Sequence, residues 1–129
     1  MKKTGILNRH LCGAIAELGH GDTVLICDAG MPIPPGPRVV DLAFRAGVPS
    51  FAEVLDGLLA ELVTEGGTAA TEVQKANPTT AELLASRVTP LTLIPHEDLK
   101  RRTATARLVV RTGEATPYAN VLLRCGVFF

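Results

Sequence analysis

Tryptophan is absent from the chain, tyrosine occurs once and phenylalanine four times. An interior built from these 129 residues therefore has to be aliphatic, drawn from Leu, Val, Ile and Ala. An excess of charge is missing as well: 13 Lys and Arg balance 13 Asp and Glu, a net charge of zero. Proteins that neutralise nucleic-acid phosphates carry a basic surplus, so that class of partner is not expected. The one basic cluster, Lys100-Arg101-Arg102, follows Glu97 and Asp98 and reads as a solvated helix face. No apolar run reaches the roughly 18 residues that would span a bilayer. The Met-Lys-Lys start leads into polar residues and His10, with no apolar signal region, so neither membrane insertion nor export is expected. The three cysteines, Cys12, Cys27 and Cys125, lack the paired spacing of a zinc site. They read as small buried hydrophobes in a reducing compartment, which implies a cytoplasmic location.

Cofactor motifs are missing too. There is no Gly-rich Rossmann or Walker loop, no Gly-x-Ser-x-Gly elbow and no His-Glu-x-x-His helix. Neither a nucleotide cofactor nor a metal is expected. The hydrophobic fraction is nonetheless 47% with 20% charged residues, enough for one packed domain covering 1–129. A mean hydropathy of +0.25 is high for a small domain and points to apolar surface buried between subunits.

Helix and strand signals alternate along the chain. Asn8 is a candidate N-cap for a helix with Leu11, Ala14, Ile15 and Leu18 on one face, and Gly19 offers its stop. Thr23 to Cys27 is an apolar run without polar alternation, as in a strand buried on both faces. Met31 to Pro37 holds four prolines and forms a stiff loop, with a brief strand at 39–42 beyond it. Ser50 and Glu53 form a capping box for the strongest helix, which carries Phe51, Val54, Leu55, Leu58, Leu59 and Leu62. Gly66-Gly67 breaks it, and 68–73 favours a strand. Asn77-Pro78 opens a helix to about Ser86, Leu91 to Ile94 is a strand, and Pro95 starts a short helix through Arg102. Arg107 to Arg111 and Asn120 to Leu123 are the closing strands. Strands separated by helices predict a single α/β domain with a largely parallel sheet and helices on both faces. Ligands in such folds bind beyond the carboxyl ends of the strands.

The polar residues near strand ends are few. His20 precedes the first buried strand and Asp28 ends it, so about 17 Å of strand separates them. Either the loops fold back over one end or His20 meets the acid of another copy. Read alone, His20 fits a cap or surface position better than a catalytic one, and Asp28 fits a functional strand end about as well as a turn. His96 sits in the first turn of its helix with Lys100 four residues on and on the same face; spacing alone fits a solvated terminus. His10 reads as structural or surface. Tyr118 and Asn120 lie in the polar turn 111–120 between two apolar strands, where phenol and amide could fix hydroxyls or anchor a hairpin.

Taken in order, several segments resemble the D-ribose pyranase family, whose relatives include the fucose mutarotases. They are Lys3 to Asn8, Leu18-Gly19-His20-Gly21-Asp22, Asp28 to Pro34, His96 to Lys100, Arg111 to Asn120 and Gly126 to Phe129. Residues 51–89 match mainly in pattern, and Arg9 and Met31 depart mildly. The resemblance implies pentameric rings stacked as a homodecamer, with a pocket between neighbouring subunits. It also implies His20 as catalytic acid/base, and Asp28, His96, Lys100, Tyr118 and Asn120 as ribose-binding residues. The implied activity exchanges the pyranose and furanose forms of D-ribose without cofactor or metal. The alternatives are a fucose-type mutarotase and a non-catalytic sugar-binding module. Gly30 and the proline-rich loop fit the ribose branch better.

Overall fold

The four buried residues of the first strand explain the architecture. In the computed structural model, which describes residues 1–129, β1 (Thr23–Cys27) has Val24, Leu25, Ile26 and Cys27 all at 0% exposure. Side chains alternate along a strand, and here Val24 and Ile26 enter a 19-residue core while Leu25 and Cys27 enter a separate one of eight. A sheet covered on both faces is the result.

The remaining elements follow in chain order. Before β1 comes α1 (Arg9–Ala16); after it come β2 (Arg38–Asp41), α2 (Phe51–Leu59), β3 (Thr64–Ala70), α3 (Val73–Ala76), α4 (Pro78–Arg87), β4 (Leu91–Ile94), α5 (His96–Thr103), β5 (Leu108–Arg111) and β6 (Val121–Cys125). The larger core takes Leu11 and Ala14 of α1, Phe51, Val54, Leu55 and Leu58 of α2, and Leu84 of α4. The smaller core takes Leu99 of α5 together with Met31 from the proline-rich loop. Capping follows the expected chemistry. The Asn8 side chain accepts from Leu11 N at 2.9 Å, Ser50 Oγ from Glu53 N at 3.1 Å and Asn77 Oδ1 from Thr80 N at 3.3 Å.

The six strands lie in the order β2-β5-β1-β6-β3-β4. The largely parallel sheet expected from the alternation of elements is corrected to a mixed one. Pairs β2–β5, β5–β1 and β3–β4 are parallel, but β6 is antiparallel to both β1 and β3. No helix separates β5 from β6, so the chain turns back through 112–120 and enters the sheet in the opposite sense. A second correction concerns Gly66-Gly67, which do not end a helix but lie inside β3, while Val73 belongs to α3. Between Thr64 and Gly67 the register with β6 shifts, because three steps along β3 face two along β6 from Cys125 to Leu123. That extra residue is a β-bulge, and Gly66 at φ +125° makes it.

Gly113 illustrates how tightly the turn before β6 is held. Its N–H donates to Pro49 O at 2.9 Å and its carbonyl accepts from Gly47 N at 2.6 Å. A Cβ placed there would lie 2.2 Å from Val48 O and 2.6 Å from Arg45 O, both backbone atoms. Gly113→Ala is therefore expected to destabilise the fold by about 1–3 kcal/mol, the usual cost of overpacking. A lowered urea midpoint at unchanged slope would register it.

Candidate active site

The carboxyl end of β1 meets the amino end of β6, and the polar residues there pair at once. Asn120, fully buried, donates from Nδ2 to Asp28 Oδ2 at 3.0 Å and accepts on Oδ1 from Asp28 N at 2.9 Å. The other carboxylate oxygen, Oδ1, accepts from Gly30 N at 2.9 Å. A backbone bond from Ala29 N to Glu114 O at 2.9 Å ties this loop to the turn before β6. Beside it opens a cleft of about 280 Å³ lined by Asp28, Ala29, Gly30 and residues 114–117.

Tyr118 is the single non-glycine residue with positive φ, at 57°. That left-handed conformation costs roughly 1–3 kcal/mol and persists only where its surroundings enforce it. Here Asn77 Nδ2 donates to Pro117 O and to Thr116 Oγ1, both at 2.9 Å. Glu114 accepts from Thr116 Oγ1 on one oxygen and from Phe51 N, at the start of α2, on the other. The Tyr118 ring then meets the His96 ring edge-on, with centroids 5.0 Å apart at 82°. His96 is the first residue of α5, whose N-cap is Pro95 and offers no side chain. Glu72 substitutes for it, accepting from His96 N with both oxygens at 3.0 and 3.1 Å. The buried Nδ1 of His96 has no hydrogen-bond partner. A wider cleft of about 550 Å³, lined by Tyr118, Glu72, Thr71 and α3, lies against this wall.

Asp28, Asn120, His96 and Tyr118 thus gather at one end of the sheet, beyond the carboxyl end of β1. Lys100 lies one turn along α5 from His96, but its Nζ pairs with Glu97 Oε1 at 2.7 Å rather than with the ring. That hydrogen bond holds the Glu97 carboxyl below the usual carboxylate range. His20 is elsewhere. It belongs to the turn 19–22 at the opposite end of β1, where Gly21 N donates to Cys125 O at 2.9 Å. Its Nε2 lies 2.7 Å from Glu65 Oε1, and its ring borders an apolar cleft with Val127, Phe128 and Phe129. Within one chain, then, the six candidate residues form two groups at opposite ends of the strands.

Glu65, Glu72 and Glu114 support these groups, and sequence reading assigned none of them a role. Glu65 and Glu72 reach across from distant elements, and Glu114, inside the turn 111–120, ties it to the start of α2 as well as to Thr116, so no local spacing marks these roles. Cys27, although next to Asp28, is no nucleophile: burial first, and the Asp28 charge second, push its thiol up to about 12. No cluster of three His, Cys, Asp or Glu side chains is arranged to hold a metal ion.

A single α/β domain with a mixed sheet and paired polar residues beyond the carboxyl end of β1 defines the class. Comparison with known proteins sharpens it. Residues 1–128 match the model of the RbsD / FucU transport protein family, and the chain belongs to that family. It is 78% identical, over all of both chains, to D-ribose pyranase 2 of Streptomyces griseus. Its structure is similar to that of Bacillus subtilis RbsD complexed with D-ribose, with a TM-score of 0.95 and 41% identity over all of both chains. The fucose mutarotase from Streptococcus pneumoniae, solved with L-fucose, shares the fold at a TM-score of 0.78 and 23% identity over 95% of each chain.

Asn120→Ala removes the partner of a half-buried carboxylate and of the Asp28 N–H. The loss is expected to destabilise the fold by about 1–3 kcal/mol, measurable by chemical denaturation.

Proposed function

We propose that this protein is a D-ribose pyranase, exchanging the pyranose and furanose forms of D-ribose. The observation that carries the reading is the paired polar edge of Asp28, Asn120, His96 and Tyr118. It occurs in a fold that matches, over its full length, a relative solved with D-ribose. The 41% identity to that relative, against 23% to the fucose mutarotase, favours ribose over fucose.

In this reading Asp28, His96, Lys100, Tyr118 and Asn120 bind the sugar, and His20 is the acid/base. An imidazole carries one nitrogen that accepts and one that donates, so it can take the anomeric hydroxyl proton and return one to the ring oxygen. The C1–O5 bond breaks as the ring oxygen gains that proton, and C1 becomes an aldehyde. Rotation followed by attack of the 4-hydroxyl on C1 closes the furanose, with the protons moving back in the reverse sense. No electron or group is transferred, so the proton count balances within the sugar and the imidazole.

The two groups are brought together by neighbouring copies. Pentameric rings stacked as a homodecamer would set His20 of one copy beside the Asp28 edge of the next. Support comes from the separation of the two groups and from the exposed apolar residues. Phe128 and Phe129 are about nine-tenths exposed, and Phe44 and Leu7 are also open. Three free cysteines fit a reducing, cytoplasmic setting. No helix is long and apolar enough to cross a membrane.

Two experiments test the reading. Light scattering at micromolar concentration should give a mass several times 13.6 kDa. A monomer that still catalyses exchange would overturn the shared pocket. Saturation-transfer NMR should show accelerated pyranose–furanose exchange with ribose, reduced about 10²- to 10⁴-fold in His20→Ala. Faster exchange with fucose than with ribose would move the chain to the mutarotase branch. Ribose binding without any exchange would make it a sugar-binding module.

A further inference from the structure

We propose that Glu65 is the positioning residue of His20, fixing which imidazole nitrogen does the work. This inference rests on His20 being the acid/base. A carboxylate can only accept, so the 2.7 Å contact to Glu65 Oε1 places a proton on His20 Nε2. In the neutral ring the bare nitrogen is then Nδ1, and Nδ1 receives the anomeric proton. When it does, the carboxylate on the far side faces the imidazolium charge, as the orienting acid does in catalytic triads.

Three features of the chain aim the two side chains at each other. The bulge in β3 inserts an extra residue opposite β6 just where Glu65 stands, and bulges re-aim side chains next to active sites. Gly66 makes it possible: φ is +125°, and a Cβ there would lie 2.7 Å from Pro90 O. Arg124 of β6 occupies the other side of the carboxylate, its Nε 3.4 Å from Oε2. The His20 turn is clamped in its own right, by Gly19 N donating to Asp22 Oδ2 at 2.8 Å and Cys125 N to Asp22 O at 2.8 Å. The imidazole makes no other polar contact within the chain, so Glu65 alone sets its tautomer.

The same geometry could be an ordinary surface ion pair, since the two side chains are 55% and 41% exposed. Pairs of that exposure add little to stability, so melting should barely change in either case. Catalysis separates the two readings. Glu65→Gln keeps an acceptor but drops the charge; Glu65→Ala drops both. In the assembled protein, kcat for ribose exchange should fall about 10- to 100-fold in Glu65→Ala, a part of what the acid/base itself supplies. Glu65→Gln should fall less, and KM should stay within about threefold in both, because the Asp28 edge is untouched. Imidazole nitrogen shifts of ¹⁵N-histidine-labelled protein should report the Nε2–H form of His20 in the native chain and its loss in Glu65→Ala. A native kcat in Glu65→Ala beside an inactive His20→Ala would overturn the proposal and leave the pyranase reading standing. A raised KM with native kcat, or a His20 ring protonated at Nδ1 instead, would overturn it equally. Full activity in His20→Ala would remove the acid/base assignment itself and this inference with it.

Discussion

The antiparallel entry of β6 between β1 and β3 is the constraint on which both polar groups depend. Because β6 runs opposite to β1, its first residues lie at the carboxyl end of β1 and its last residues at the amino end. Asn120, one residue before β6, is thereby set against Asp28, and Arg124, near its close, against Glu65. Had β6 run parallel, its start would lie beside His20 and Asp28 would lose its partner. A single choice of strand direction thus sets both polar groups.

The two faces of the sheet divide the labour of stability. One carries α1, α2, α3 and α4 over a core of 19 buried residues, and the other has α5 and the proline-rich loop over eight. Burying a Leu, Val, Ile or Phe side chain is worth about 1.5–3 kcal/mol, so the larger face supplies most of the driving force. The thinner face leaves Thr68, Thr92 and Arg124 lining an open cleft of about 250 Å³ beside α5. At the site itself the balance is different. The turn 111–120 is shaped by hydrogen bonds from Asn77, Glu114 and the backbone of residues 47–49, each worth about 0.5–1.5 kcal/mol net. Together they offset the backbone strain at Tyr118 and hold its ring against His96.

A sugar that must open, rotate and reclose is served by this kind of edge. Rigid elements fix the carboxylate, amide and phenol, while the clefts on either side of the turn stay open to solvent. In the proposed binding role, these groups would exchange hydrogen bonds with successive hydroxyls without enclosing one ring form. The imidazole of His20 stands at the other end of β1, on a turn clamped by backbone bonds.

The sequence by itself determined the local elements and the chemical inventory. Asn8, Ser50 and Asn77 cap helices as their side chains dictate, and the unalternating run 23–27 is the strand buried on both faces that its pattern predicts. Asp28, His96, Tyr118 and Asn120 were legible as polar residues at strand ends, and their shared place follows from the sheet. Only the tertiary structure decided where β6 pairs: nine residues after β5 are too few for a parallel crossover, but nothing local sets the strand between β1 and β3 rather than beside β5. It also decided that Gly66-Gly67 form a bulge rather than a helix stop, because the register of β3 depends on a strand more than fifty residues away. For the same reason Glu65, Glu72 and Glu114 carried no mark in the sequence. Each has a partner brought near by the fold, His20, His96 N and Phe51 N respectively, and a carboxylate that serves a distant residue leaves no periodicity of its own.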